Sequence, residues 1–415
     1  MKSTDVLVIG AGPAGTIAAS IIKQAGFNVI IVEKLKFPRF VIGESLLPRC
    51  MEALEDARFL DAVKAKNFQE KFGAKFVLDD QICDFNFTDQ HTEGWKWTWQ
   101  VPRAEFDMTL ADECVRMGIE VNYEKEVVAI QINDDESSIT TIRNVDGSEE
   151  QIKARYIVDG SGYGRVIPKL FNLEKPSSLP ARQTLFTHFE DVNRATVAQE
   201  PNRITIYIYN QQTWIWVIPF SNGNTSVGFV GFPEFFASLE GTPEEKLTYL
   251  INSHPELNER FGNAKMQFEP REIHAWSVTT DKFYGDGFVL TGNVTEFLDP
   301  VFSSGVTLAA VSAQNAAKLV VKKLQGEAVN WQQEYMDVCM KGVEVFRTFV
   351  MAWYDGDLHN IFFSKNQNPA MREQICSVLA GYVWDESNPF VTNHQKQVKA
   401  LAKFIRETQL ENEIG

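Results

Sequence analysis

The sequence predicts an α/β fold in which a parallel-sheet domain is interleaved with an antiparallel-sheet domain and followed by a helical C-terminal region. Three observations predict it. Residues 5–9 (DVLVI) read as a short buried strand, followed by a glycine-rich turn, an apolar-periodic helix over about 14–25 and a second strand at about 28–33 (NVIIVE), together one βαβ unit. Residues 182–232 carry the successive runs RITIYIYN, TWIWVIPF and TSVGFVGF, separated by Asn, Gln, Ser and Gly, the pattern of an antiparallel sheet. From about 330 to 415 the chain is mostly helical in pattern.

The remaining elements fill in the order. Residues 51–67 show helical spacing, and several strand-like runs lie between about 119 and 158, with turn signals at Asn133-Asp134-Asp135 and Asp146-Gly147. That segment ends in the apolar strand ARYIVDGSG, and helices are expected over about 243–253 and 304–324. No internal repeat or low-complexity linker separates the parts, so the domains are expected to interleave: 1–75, 100–180 and 275–328 as the first, 76–99 and 181–274 as the second, and 329–415 as the helical region. A chain of 415 residues exceeds one ordinary domain, which agrees with that division.

Composition narrows the class. The formal net charge of −15 argues against a nucleic-acid partner, whose phosphates want a basic face. The five cysteines are odd in number, scattered and without a CxxC pair, which disfavours a disulfide framework and a zinc site. No apolar run is long enough to span a membrane, and no signal peptide precedes the first strand, so a cytoplasmic location is expected. Thirty Phe and nine Trp fit a domain that houses a flat apolar ligand.

The turn of the βαβ unit is Gly10-Ala11-Gly12-Pro13-Ala14-Gly15. Gly10 permits the tight turn, Gly12 lets backbone approach a pyrophosphate, and Gly15 allows close helix–strand packing. Pro13 suits a first helical turn, where a missing N–H costs nothing. The helix N-terminus then offers free N–H groups and a positive dipole end to the diphosphate. Glu33 ends the second strand, where a carboxylate accepts hydrogen bonds from an adenosine ribose. The unit is Rossmann-like, and a dinucleotide is its expected ligand. There is no second such unit for a nicotinamide cofactor, so reducing equivalents are expected from transiently docked NAD(P)H or from a separate reductase.

Other motifs select the dinucleotide. Phe37-Pro38-Arg39 and Gly43-Glu44-Ser45-Leu46-Leu47-Pro48 lie close downstream; far along the chain come Gly285-Asp286-Gly287-Phe288-Val289-Leu290-Thr291-Gly292-Asn293 and Asp299-Pro300-Val301-Phe302-Ser303-Ser304-Gly305. Over about residues 1–330 the chain resembles the flavoprotein superfamily of para-hydroxybenzoate hydroxylase, geranylgeranyl reductase and the flavin-dependent halogenases. The resemblance implies FAD as cofactor, with contacts at Lys34, Arg39, Glu44, Ser45, Arg103, Val127, Asp159, Gly292, Asn293, Pro300, Ser304, Gly305 and Val306 besides the glycine turn and Glu33. One departure is Gly292-Asn293, where most members carry Gly-Asp; Asn keeps an acceptor, adds a donor and removes a negative charge. The helix starting near Ser304 would direct its N-terminal amides at the N1/O2 edge of the flavin, where negative charge sits after reduction.

Two features resemble the halogenase branch. Trp214-Ile215-Trp216-Val217-Ile218-Pro219 is similar to its WxWxIP motif; on a strand the two indoles project to one face and would wall the flavin chamber. Lys71, within Phe68-Gln69-Glu70-Lys71-Phe72-Gly73-Ala74-Lys75-Phe76, matches the position of its lysine, with Lys75 the alternative if the register differs. The implied chemistry uses reduced FAD and O2 to oxidise a halide to hypohalous acid, which a lysine captures or orients beside an electron-rich arene. By the same resemblance, backbone at Ser304 and Gly305 would hold the halide. The chain is shorter than typical tryptophan halogenases, so a phenol, resorcinol or pyrrole, free or attached to a carrier protein, is the expected substrate. The alternatives are an aromatic hydroxylase, an FAD-dependent reductase of prenyl or polyene double bonds, and a flavin-binding protein without catalysis. Segments such as Ala352-Trp353-Tyr354-Asp355-Gly356 are similar to the C-terminal region of halogenase-like flavoproteins and are expected mainly to pack against the core.

Overall fold

The computed structural model describes residues 1–177, 179–194, 202–365 and 368–414, with side chains to 408. Parts of two expected segments, 195–201 in the antiparallel stretch and 366, 367 and 415 in the helical one, lie outside the described residues.

The βαβ unit forms as β1 (Lys2–Ile9), α1 (Pro13–Gln24) and β2 (Val29–Val32). Strands Phe288–Leu290, Glu149–Asp159, β1, β2 and Glu120–Asn122 lie side by side and parallel, in that order. The first half of Glu149–Asp159 also pairs antiparallel with Ser138–Asn144, which pairs with Lys125–Ile132. The Ser304–Leu324 helix packs beside α1 on this sheet. Ala14 and Ala18 meet a row of alanines at 309, 310, 313, 316 and 317, and small residues let the two helices approach closely.

The second sheet has seven strands, ordered Arg271–His274, Gln183–Glu190, Asn224–Gly231, Thr213–Pro219, Arg203–Asn210, Gly73–Leu78 and Gln81–Asn86. All pairs are antiparallel except Arg203–Asn210 with Gly73–Leu78. The strand that begins at Gly73 therefore belongs to this sheet, so its edge falls slightly before the expected boundary at 75. Thr213–Pro219 is buried along its whole length because both faces of the sheet are covered. Helices Pro243–Ser253 and Pro255–Phe261 lie on one face, and the C-terminal helices pack on the other through Phe346, Phe349 and Trp353. Pro243–Ser253 begins with a capping box, Glu245 N–H donating to Thr242 Oγ1 and Thr242 N–H to Glu245 Oε2. Residues 51–67 form two short helices, Cys50–Asp56 and Leu60–Ala65, in place of one. Among the described residues no helix is long and apolar enough to cross a membrane, and the five cysteines are free and buried.

Candidate active site

A cavity of about 770 Å³ runs from the C-terminal ends of β1 and β2 to the second sheet. This is where an open parallel sheet presents its ligand site. At one end Gly10, Gly12, Pro13 and Ala14 form the wall. Gly10 has φ +93°, and a Cβ there would meet the Gly160 carbonyl oxygen at 2.7 Å. Gly15 stands behind the wall; its missing Cβ leaves room for the Gly10 carbonyl, which would otherwise lie at 1.9 Å. Gly12 caps α1 with no side-chain hydrogen bond, so the first amides of the helix are left for an anion.

Glu33, Lys34 and Val127 line the same end. Glu33 is buried and takes two backbone donors, Ala11 N at 2.9 Å and Leu35 N at 2.9 Å, so it locks the glycine turn to the end of β2. Arg39 lines the cavity beside Gly12 and is held by Asp107 Oδ2, to which its Nη1 donates at 3.0 Å. Arg103 donates its Nε to Asp107 Oδ1 at 2.8 Å and its Nη1 to the carbonyls of Ile42 and Gly43. Burial opposes charge on Arg103, and the fully buried Asp107 overcomes it, keeping the guanidinium protonated. Sequence reasoning missed Asp107, although its place four residues after Arg103 on one helix is a readable signal.

The late motifs close the cavity from the other side. Asn293, Pro300, Gly305 and Val306 line it, while Gly292 and Ser304 sit just behind. Gly292 has φ +70°, and its N–H donates to Ser312 Oγ at 2.9 Å. The Ser304–Leu324 helix starts after Ser303 in the left-handed region, with no side chain capping it, so its first amides stay open. Asp159 corrects an expectation. Its two oxygens accept from Ser161 N at 2.9 Å and Ile167 N at 2.8 Å, so it fastens the turn after Glu149–Asp159 and does not reach the cavity.

Trp214 and Trp216 project from one face of the second sheet and line the same cavity, their rings 6.1 Å apart. Gly228 stands opposite Trp216 and leaves space for its indole; a Cβ there would lie 2.3 Å from the ring. Trp216 Nε1 donates to Ser226 Oγ at 2.9 Å. Trp214 Nε1 donates to Tyr354 Oη at 2.9 Å, and that hydroxyl donates to Asp299 Oδ2 at 2.9 Å. Burial pushes the Asp299 carboxyl up to about 6, against the opposing pull of the Tyr354 hydrogen bond. Asp299 comes from a late motif and Tyr354 from the C-terminal region, which therefore fixes a cavity wall as well as packing on the core.

Lys71 lies at the end of a short strand, Gln69–Lys71, paired with Thr98–Gln100. It is 1% exposed and outside the cavity lining, one layer behind the Glu44–Ser45 wall, with Nζ donating to the Leu46 carbonyl at 2.8 Å. Burial pushes its amine down to about 7. Lys75 is half-buried on the neighbouring strand Gly73–Leu78.

The residues present fit FAD. The glycine cradle, Arg39 and the open end of α1 suit a diphosphate. Three buried polar atoms of residues on the cavity wall have no hydrogen-bond partner among the described residues: Ser45 Oγ, Thr184 Oγ1 and Trp276 Nε1. Buried polar atoms without partners are rare, and a bound ligand is their natural complement.

Comparison with known proteins agrees. The FAD binding domain family model matches residues 3–337. The crystal structure of a flavoprotein/dehydrogenase from Cytophaga hutchinsonii is 56% identical, with a TM-score of 0.96 over 98% of this chain and 100% of that one. A 1H-pyrrole-2-carbonyl-(peptidyl-carrier protein) brominase from Pseudoalteromonas luteoviolacea is 27% identical over 391 residues, 92% of this chain and 93% of that protein. The structure of a flavin-dependent brominase superposes with a TM-score of 0.83 at 25% identity, covering 99% of this chain and 100% of that one.

Proposed function

We propose that this chain, which belongs to the FAD binding domain family, is a flavin-dependent halogenase of an electron-rich aromatic, of pyrrole, phenol or resorcinol type, free or held on a carrier protein. One observation carries the reading: the glycine turn with its arginines and the indoles of Trp214 and Trp216 are walls of a single cavity. FAD bound there and reduced supplies the O2 chemistry that oxidises a halide.

The chain's own residues supply the rest. Arg39 and the start of α1 hold the diphosphate, and Asp107 aims Arg39. The two indoles keep organic molecules away from the oxidising centre. The open amides at Ser304 and Gly305 hold the halide. Lys71 stands one layer behind the cavity wall with Nζ on the Leu46 carbonyl, so its role here requires that contact to open and let the amine, which burial pushes down to about 7, meet the hypohalous acid. Reducing equivalents come from a separate flavin reductase or a transiently docked NAD(P)H. The free cysteines suit the reducing cytoplasm, where we place the protein.

The test mixes FAD-loaded, reduced protein with O2 and resorcinol, with and without bromide. Bromoresorcinol formed only with bromide supports the reading, and Lys71→Met is expected to consume O2 normally while losing that product. Hydroxylated product without bromide identifies an aromatic hydroxylase. A dehydrogenase or reductase reading is favoured by the 56% identity to the flavoprotein/dehydrogenase from Cytophaga hutchinsonii. It requires that the flavin exchange electrons with an organic double bond without O2 or halide.

A further inference from the structure

We propose that Glu44 accepts a hydrogen bond from the O–H or N–H of the aromatic substrate, and that His188 is the positioning residue that aims it. The proposal rests on the substrate class given above and reassigns Glu44 from the cofactor to the substrate.

Glu44 follows Gly43, whose φ of +106° turns the loop, and it lies in the cavity wall. Its side chain is fully enclosed and crosses from the flavin-binding part to the second sheet, where Oε1 meets His188 Nε2 at 2.7 Å. Oε2 has no donor. A buried carboxylate with an unanswered oxygen costs free energy unless a ligand or water answers it. The nearby guanidiniums do not: Arg103 is spent on Asp107 and on the Ile42 and Gly43 carbonyls, and Arg271 lies over the rings of Phe40 and Phe268 at 4.2 and 4.8 Å.

His188 is wedged edge-on against Phe220 at 5.1 Å and Phe268 at 4.9 Å, which fixes its ring and so the Glu44 carboxylate. The aromatic packing continues behind the wall through Phe40 and Phe186 to Trp216, which lines the cavity as Glu44 does. A flat ring in the cavity beside Trp216 would bring its polar edge to the unanswered oxygen of Glu44. The pairing also explains why the strand Gln183–Glu190 places an imidazole among phenylalanines.

The chemistry balances. As halogen passes from hypohalous acid to a ring carbon, hydroxide is left behind, and the substrate O–H or N–H proton shifts to Glu44. The proton on the halogenated carbon then leaves to the hydroxide as water, and Glu44 returns its proton to the substrate heteroatom. Arene and hypohalous acid give haloarene and water, with Glu44 unchanged. The hydrogen bond pushes electron density into the ring as the carbon–halogen bond forms.

Calorimetry on FAD-loaded protein tests this with resorcinol and its dimethyl ether, which has no O–H. Wild type is expected to bind resorcinol roughly tenfold or more tightly than the ether, the size of a hydrogen bond to a charged acceptor. Glu44→Ala is expected to abolish that preference, Glu44→Gln to shrink it, and His188→Gln to weaken it, with binding of the ether and of FAD retained. A preference that survives Glu44→Ala overturns the proposal. A loss of FAD affinity in Glu44→Gln also overturns it, since Glu44 then serves the cofactor. If wild type binds neither compound, the substrate class itself fails, and with it the reading on which the proposal rests.

Discussion

Replacing Tyr354 by Phe removes one hydroxyl and takes the partner from two buried atoms, Trp214 Nε1 and Asp299 Oδ2, while Asp299 Oδ1 keeps the Val301 N–H. The hydroxyl accepts from Trp214 Nε1 and donates to Asp299 Oδ2, each at 2.9 Å, with Trp214 and Asp299 both 2% exposed. An unsatisfied buried group costs about 1–3 kcal/mol, so the pair sums to about 2–6 kcal/mol, a large share of a typical folding free energy. The loss also depends on pH. The native Asp299 carboxyl sits at about 6 against an ordinary 3.8, so the folded state holds this proton more tightly than the unfolded chain. Its contribution to stability is therefore fully present below about 4 and is lost as pH rises through 6, roughly 3 kcal/mol in all. Without the Tyr354 donor the ionised carboxylate is less well held and its pKa climbs further, so the penalty grows with pH. Urea unfolding of wild type and Tyr354→Phe at pH 5 and pH 8 checks this: the difference between them should be larger at pH 8. Equal differences at both values, or no loss at either, would refute the reasoning.

Asp299→Asn keeps an acceptor for Tyr354 and removes the buried charge; it is expected to flatten the pH dependence and to raise stability at pH 8, measured by the same unfolding curves. Asp107→Ala strips the carboxylate from buried Arg103 and half-buried Arg39 and should cost about 3–5 kcal/mol, with weaker FAD binding followed by flavin fluorescence. Gly228→Ala puts a Cβ 2.3 Å from the Trp216 ring and 2.6 Å from Phe186 Cβ, so thermal unfolding should show a loss of about 1–3 kcal/mol and bound FAD a changed spectrum. Halogenated product per O2 should change along a limb near pH 7 that belongs to Lys71, whose amine burial lowers to about 7; Lys71→Met should abolish both product and limb.

The sequence by itself determined the βαβ unit, the glycine turn, Glu33 at the end of β2 and the helix over 304–324. Local rules govern each of these: strand and helix periodicity, a turn that only glycine can make, and a carboxylate fixed by its distance from that turn. It also determined that Trp214 and Trp216 share a face, because a strand alternates. Only the tertiary structure decided what those faces meet. Asp107 grips both arginines because a helix from one stretch packs against a loop from another. Tyr354 reaches Trp214 across 140 residues, and His188 reaches Glu44 across 144. Asp159 looked like a cofactor contact and became the fastening of a turn, since two backbone amides took both its oxygens. Lys71 is the sharpest case. Its residue type and spacing were legible, but burial sets its proton affinity, and burial depends on strands and loops that the chain brings together only on folding.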